Sequence, residues 1–370
     1  MSPSSKIENI ETLADRVPTE SVKHALVVKL RHHGDVLLAS PVFTALKTSF
    51  PQIEVDALVY ADTVDMLSLH PAISQVHAID RKWKQLGITG QIRAETRLLR
   101  ALHQRHYDLI IHLTEHWRGA WLSRFLKPQW SVGPVVRGRS KYWKRSFSHT
   151  YSVPPHALRH TVEANLDALR RIGIQPLEMD RRLTMTPGVP AEQAVSLHLE
   201  KMGLLSQQFI HIHPASRWFF KCWPVRKMVD LITRLQSEGH SVVLTAAPDR
   251  NELAMIDSIQ AALTLPVASL AGKLSLKELA ALTSYAKLFI GVDSAPMHIA
   301  AAMNTPTIAL FGPSGEKQWG PWSDTARVLT SQHTCRPCGL DGCGGGKVSD
   351  CLTAITVEAV FDAATELMTR

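Results

Sequence analysis

The sequence predicts an α/β protein built as two doubly wound, Rossmann-like halves that face a central cleft. Three observations predict it. Strand-like and helix-like segments alternate along the chain, the pattern of parallel sheets covered by helices on both faces. The alternation breaks once, between Ile174 and Leu204, where Pro176, Pro187 and Pro190 fall. Each half then opens with an apolar strand that feeds a polar turn, and in such folds ligands bind beyond the carboxyl ends of the strands.

In the first half the expected strands are residues 24–30, 54–60, 75–79 and 107–113, with helical patterns over 36–49, 92–105 and 158–172. In the second half strands are expected over 209–213, 241–246, 288–292 and 305–311, with helices over 225–238, 276–285, 297–303 and 357–368. The predicted domains are residues 1–180 and 181–355; the last helix, within 356–370, fits either half. Two halves with a cleft between them suit a reaction that joins two different substrates.

A chain of 370 residues is long enough for two full cores. With 45% hydrophobic residues and a mean hydropathy of −0.04 it reads as a soluble globular protein, and no stretch reaches the ~20 apolar residues of a membrane span. Residues 1–20 are polar and mixed in charge, with no apolar segment of signal-peptide type; the expectation from this is a frayed leader and a cytoplasmic protein. A net charge of +8 and a pI near 9.3 fit an anionic partner: nucleic acid, an anionic membrane face or a phosphorylated substrate. Five cysteines are too few for a disulfide scaffold of this length.

The most specific stretch is Phe-Ile-Gly-Val-Asp-Ser-Ala-Pro-Met-His, residues 289–298. A buried apolar strand stops at Asp293, Ser294 suits the cap of a following helix, and Pro296 suits its first turn. Free N–H groups and the helix dipole make such a junction an anion site, while the acid beside it can accept hydrogen bonds from sugar hydroxyls. A phosphorylated sugar or nucleotide sugar fits both.

The first turn is Leu-Arg-His-His-Gly-Asp-Val-Leu-Leu-Ala-Ser-Pro, residues 30–41. Gly34 permits a tight turn and close approach of backbone, but one glycine is not a dinucleotide fingerprint. Asp35 fits two roles, helix cap or general base facing the cleft. Arg31, His32 and His33 surround it with cationic and hydrogen-bonding groups, or are a solvated loop. In residues 213–224, Ser216 and Lys221 follow a strand; Lys221 is placed to neutralise a diphosphate, unless it is a surface lysine beside loop-packing aromatics. Asp249 and Glu252, after another strand, suit a ribose contact or helix capping.

Residues 117–145 hold eight Lys or Arg, Arg118 and Arg139 among them, and no acid, interleaved with Trp117, Trp121, Trp130 and Trp143. This suits an anionic acceptor, an anionic lipid leaflet, or RNA, or else a solvated face over core tryptophans. Cys335, Cys338, Cys343 and Cys351 fit reduced thiols packed in a loop better than a zinc site, because the second pair lacks zinc-knuckle spacing. No Asp-x-Asp motif points to a carboxylate-held metal at a sugar-nucleotide site, and neither a Walker loop nor a G-x-S-x-G elbow occurs.

Taken together, Lys-Leu-Arg-His-His-Gly-Asp ending at Asp35, Phe-Lys-Cys-Trp at 220–223, and Gly-Val-Asp-Ser-Ala-Pro-Met-His ending at His298 resemble the ADP-heptose:lipopolysaccharide heptosyltransferases of glycosyltransferase family 9. The resemblance runs from about Leu26 to Phe311 with the motifs in family order, and is nearest the heptosyltransferase III branch, which adds a branching heptose to the inner core. The segment 159–166 is also similar to the family's inter-domain helix. The resemblance implies a GT-B fold and an inverting, metal-independent transfer with no cofactor. It implies Asp35 as base toward the acceptor hydroxyl, Lys221 on the donor diphosphate, Asp293 on donor sugar hydroxyls, Ser294, Ala295 and Pro296 at the phosphate-facing helix start, and His298 close to the donor. Many relatives have Thr-Gly where this chain has Ser294-Ala295, and the added methyl alters the surface offered to the sugar. The partners expected are ADP-heptose, a lipopolysaccharide core acceptor and an anionic face of the inner membrane, touched peripherally from the cytoplasm, with no nucleic acid. Heptosyltransferase I or II activity on another core acceptor is the alternative; a zinc-containing nucleic-acid-binding protein is a remote one that leaves Asp35, Lys221 and Asp293 unexplained.

Overall fold

The apolar run His24–Val28 (β1) becomes the middle of one six-stranded parallel sheet, and Phe209–His213 (β7) the middle of a second. The computed structural model describes residues 15–153 and 159–369, so most of the polar leader lies outside the described residues. The first sheet adds β2 (Glu54–Tyr60), β3 (Gln75–Ile79), β4 (Leu109–His112), β5 (Trp130–Val135) and β6 (His149–Ser152). The second adds β8 (Ser241–Leu244), β9 (Ala268–Ser269), β10 (Leu288–Val292), β11 (Thr307–Leu310) and β12 (Ala326–Leu329).

The strand orders are β3-β2-β1-β4-β5-β6 and β12-β11-β10-β7-β8-β9. Counted within its own half, the second order is the first read from the opposite edge. The direction of winding therefore reverses between β1 and β4 in one sheet and between β7 and β10 in the other. A crevice opens at the strand carboxyl ends at such a point. Val27 of β1 stands between Ala57 and Ile111, and Gly291 of β10 between His213 and Ala309. The turns that leave these central strands are the ones rich in candidate site residues.

Helices cover the first sheet as α1 (His33–Leu37), α2 (Ser40–Ser49), α3 (Gly87–Gln104), α4 (Trp117–Leu126), α5 (Lys141–Lys144) and α6 (Thr161–Arg170). The second half carries α7 (Val189–Lys201), α8 (Val225–Ser237), α9 (Arg250–Ala262), α10 (Leu276–Tyr285), α11 (Ala295–Ala302), α12 (Glu316–Trp319), α13 (Asp350–Thr353) and α14 (Val357–Met368). Val27, Phe43, Ile111 and Leu166 centre one core, and Ile212, Trp223, Ile290 and Val360 the other. Burying a side chain of this size is worth about 1.5–3 kcal/mol. The first core also takes in Leu279, Ala280, Ile299 and Ala301 from α10 and α11, so apolar packing runs on between the halves.

Polar contacts fasten the same junction. Lys277 Nζ of α10 donates to the carbonyls of Ser68 (2.6 Å) and Thr186 (2.5 Å). At the N-terminus of α6, His160 donates from Nε2 to the Gly320 carbonyl at 3.0 Å and stacks on Trp322, with ring centroids 4.5 Å apart. Trp322 Nε1 in turn donates to the Arg181 carbonyl at 2.8 Å.

Several elements differ from the sequence reading. The expected helix over 36–49 is two helices, because Pro41 cannot donate to the carbonyl four residues back; it lies in the first turn of α2 instead. The break between Ile174 and Leu204 contains α7, and Pro190 lies in its first turn, where no N–H is needed. Strand β5 went unread because Gly133 and Pro134 disguise it; Pro134 falls on the stretch that pairs only with β6. Helix α14 packs on α8 and on β10, β11 and β12, and its Val360, Ala363 and Ala364 join the second core.

Candidate active site

Strand β10 is buried along its whole length, and the chain leaves it through Asp293, which is 8% exposed. Ser294 stands at the N-cap position of α11 and Pro296 in its first turn, as expected. The Ser294 hydroxyl does not cap the helix, however: it turns back and donates to the Val292 carbonyl at 3.3 Å. In that first turn Pro296 has no N–H and the Met297 N–H donates to the Ser294 carbonyl at 3.2 Å, so the Ala295 N–H and the helix dipole are what α11 offers to the crevice. Lys221, at the end of the short turn Phe219–Lys221, reaches the same place and donates to Asp293 Oδ2 at 2.6 Å. A strand end, a helix start and a cation converge there, and an anion entering would meet Lys221 and the α11 N-terminus together.

Across the cleft, Asp35 occupies the third position of α1; His32 holds the N-cap position. Asp35 is therefore not the cap, and among the described residues its carboxylate accepts no hydrogen bond. It is half-buried at the mouth of the cleft, on a helix that packs directly on α11. The contact is between Gly34 and His298. A Cβ on Gly34 would lie 2.8 Å from His298 Cδ2, so only glycine admits the ring. His298 is buried, its Nδ1 has no partner among the described residues, and burial pushes its pKa down to about 4 against the opposing pull of Asp293 and Asp35. At neutral pH it is an uncharged ring with an unused polar atom, set between the two acids.

The remaining candidates divide. His32 lies in the cleft, where partial desolvation and the nearby Arg81, Arg217 and Arg31 hold its pKa below the usual value, with Asp35 opposing. Arg31 is exposed, and its carbonyl receives Arg81. His33 turns aside to donate to the Asp62 carbonyl at 2.8 Å. Ser216 is buried and accepts from the Trp218 N–H at 3.3 Å. Asp249 caps α9, accepting from Asn251 and Glu252. Glu252 folds inward: it accepts from the Ala247 N–H at 2.9 Å, and burial raises its pKa. Arg118 is forked onto Glu95, and Arg139 lies over the Trp117 ring at 4.7 Å; both sit on the α3–α4 side of the first half, and neither is bonded to Asp35, Lys221 or Asp293. Cys335, Cys338 and Cys343 are exposed and Cys351 buried. Among the described residues no group of three or more His, Cys, Asp or Glu is placed to hold a metal ion.

Sequence reasoning missed the support beneath the first turn. Lys29, at the end of β1, is buried and donates to Asn165 Oδ1 (2.9 Å) and to the Leu113 carbonyl (3.2 Å). Asn165 donates onward to the Leu38 carbonyl at 2.9 Å, tying α6 to the segment between α1 and α2. Desolvation brings Lys29 down to about 8, with Asp35 pulling it up. The available signal was a lysine closing an otherwise apolar strand.

A family model described as glycosyltransferase family 9 (heptosyltransferase) matches residues 95–348. The chain is 38% identical over 297 residues to lipopolysaccharide heptosyltransferase 3 of Escherichia coli, covering 80% of this chain and 85% of that protein. It is 26% identical over 331 residues to lipopolysaccharide heptosyltransferase 1 of Pseudomonas aeruginosa, covering 85% of each. Among solved structures, a family 9 glycosyl transferase from Veillonella parvula aligns with a TM-score of 0.79 at 21% identity, over 94% of this chain and 97% of that one. Escherichia coli ADP-heptose lps heptosyltransferase II aligns at 0.74 and 22%, over 94% and 98%. The two facing sheets are the GT-B fold.

Proposed function

Because the chain belongs to glycosyltransferase family 9, we propose that it moves a heptose from ADP-heptose to an inner-core heptose of lipopolysaccharide. The reading takes the first half, residues 1–180, as the acceptor side and residues 181–355 as the donor side. The observation that carries it is the placement of Asp35 on α1 opposite the Lys221–Asp293 pair, with His298 and Gly34 in contact between them.

In the proposed reaction the acceptor oxygen attacks the anomeric carbon while its proton passes to the Asp35 carboxylate. The bond from that carbon to the diphosphate oxygen breaks, and ADP leaves with the electron pair. The product is inverted, and no metal takes part. Negative charge grows on the diphosphate, where Lys221 and the α11 N-terminus are aimed; preorganised groups lower a barrier most at such a place. Asp293 accepts from the donor sugar hydroxyls, with Ser294, Ala295 and His298 beside it. A base in flight contributes roughly 10²–10⁴-fold. The acceptor as a branching position of the inner core follows the 38% relative rather than the relatives at 26%. It is a phosphorylated glycolipid, which sets the enzyme on the cytoplasmic side of the inner membrane, bound peripherally and without nucleic acid.

The test is transfer from ADP-heptose to defined inner-core acceptors with EDTA present, for wild type and Asp35→Asn. Transfer that survives chelation and is lost in the variant supports the reading. Equal rates would remove Asp35 from the chemistry.

A further inference from the structure

Positive charge is concentrated on one part of this protein. Residues 81–145 carry fifteen Lys and Arg against three Asp and Glu, a net of +12; the whole chain carries +8, so everything else together is net −4. The same stretch holds an unusual set of exposed apolar side chains. Ile88 and Ile92, one turn apart on α3, are 80% and 60% exposed; Trp117, Trp121 and Phe125, spaced by single turns on α4, are each between 43% and 44% exposed. The two stripes face each other across a groove of about 820 Å³ lined by Ile88, Ile92, Leu99, Trp117 and Trp121. Its floor polarity is already used, because Arg118 and Glu95 neutralise one another through two hydrogen bonds. Around it Lys82, Lys84, Arg93, Arg97, Arg100, Lys127 and Lys144 are exposed.

We propose that the α3–α4 face is an interfacial membrane-binding surface. It seats on an anionic phospholipid leaflet, with Ile88, Ile92, Trp117, Trp121 and Phe125 entering the headgroup boundary and the surrounding cations meeting lipid phosphates. Apolar residues with basic neighbours and tryptophan at the rim are the chemistry of a helix lying in that boundary. A contiguous apolar patch of this kind is uncommon on a free surface. A nucleic acid would use the cations but would leave the isoleucines of α3 without a partner. The groove also connects to the catalytic turn. Leu99 of the groove and Tyr60 pack against the same apolar cluster, Arg81 lies 3.7 Å over the Tyr60 ring, and Arg81 donates to the carbonyl of Arg31, four residues before Asp35. A leaflet held at α3–α4 therefore lies beside the acceptor side of the cleft. The inference deepens the proposed glycolipid acceptor and rests on it for its purpose, though not for its test.

The test is flotation of the full chain with vesicles of phosphatidylcholine alone and of phosphatidylcholine with phosphatidylglycerol, across a salt series. Wild type should float with the anionic vesicles only, and release as salt rises. Ile92→Ser/Trp121→Ser should weaken binding at least tenfold, and Arg93→Ala/Arg97→Ala/Arg100→Ala by roughly fivefold per charge removed. Leu205→Ser, an exposed apolar residue of the second half, should bind like wild type. Wild type that ignores anionic vesicles, or an Ile92/Trp121 variant that binds them as tightly as wild type, overturns the proposal. Circular dichroism of each variant guards against misfolding, and the charge variant leaves the apolar stripe untouched. Transfer to an acyl-free acceptor oligosaccharide, measured in parallel, should be unchanged in the Ile92/Trp121 variant. If that reaction fails in wild type while flotation succeeds, the donor or acceptor assignment falls and the membrane face stands.

Discussion

The ring of His298, on the second half, lies against the bare Cα of Gly34, one residue before Asp35; a methyl group on Gly34 would come within 2.8 Å of His298 Cδ2. This contact fixes how closely α1 and α11 approach, and so how far the proposed base stands from the proposed donor site. The backbone at Gly34 is of ordinary hand, so glycine is needed for space rather than for conformation.

Gly34→Ala should therefore fold, with a melting temperature near wild type, yet lose at least tenfold in kcat as the ring is pushed aside. The check is a double-mutant cycle with His298→Ala. If the loss comes from this contact, the double variant is no slower than His298→Ala alone; additive losses would place the fault elsewhere.

The Lys221–Asp293 pair is a second relationship with a directional consequence. In the proposed reaction a donor diphosphate would compete with Asp293 for Lys221. Lys221→Ala should lower kcat by about 10²–10³, the usual cost of one preorganised group facing developing charge. Asp293→Asn removes the competitor but also an acceptor of sugar hydroxyls, so ADP affinity should rise or hold while transfer falls. Calorimetry with ADP, set beside the transfer rate, separates the two effects.

How much of this was legible follows from how local each signal is. Asp293, Ser294 and Pro296 were readable because strand end, cap position and helix start are consecutive in sequence, and the structure keeps that order. The turn of Ser294 toward Val292 was not readable, since a hydroxyl chooses between two nearby carbonyl and N–H partners only once the backbone is set. The cap reading of Asp35 could be set aside only by locating the helix start at His32 and His33. Lys29–Asn165 and Gly34–His298 are contacts between residues far apart in the chain, and no periodicity announces such a pair. Helix α7 and strand β5 were hidden by prolines that carry opposite meanings inside an element and at its start.

Buried neutral histidines make the fold sensitive to acid. Desolvation holds His70, His213 and His298 near 4 and His112 near 3, each below the ordinary 6.5. Between those values the unfolded chain binds protons that the folded chain refuses, so stability is complete above about pH 6.5 and is lost as pH falls toward 4. The expected slope is roughly 1 kcal/mol per pH unit for each histidine. Urea midpoints between pH 7 and pH 5 should fall steeply, and His70→Phe, which removes one titrating ring beside Phe43, should flatten the fall by about one proton.

Lys277 makes the opposite limb testable. Its ammonium bridges the carbonyls of Ser68 and Thr186, joining α10 to the first half and to the segment ahead of α7. Desolvation lowers its pKa to about 8, outweighing the pull of Asp65. The folded value lies below the unfolded one, so the unfolded chain holds more protons between about pH 8 and 10.5, and stability from this group rises with pH across that window. A neutral amine still has two N–H donors, so both carbonyl bonds outlast deprotonation. Lys29, also near 8, adds a similar rise, and the two are separated by difference. Lys277→Met should destabilise the protein by about 1–3 kcal/mol, because two carbonyls lose their donor, and the gap to wild type should widen from pH 8 to pH 10. A gap constant in pH would mean that Lys277 is held charged without penalty, and that the junction between the halves does not desolvate it.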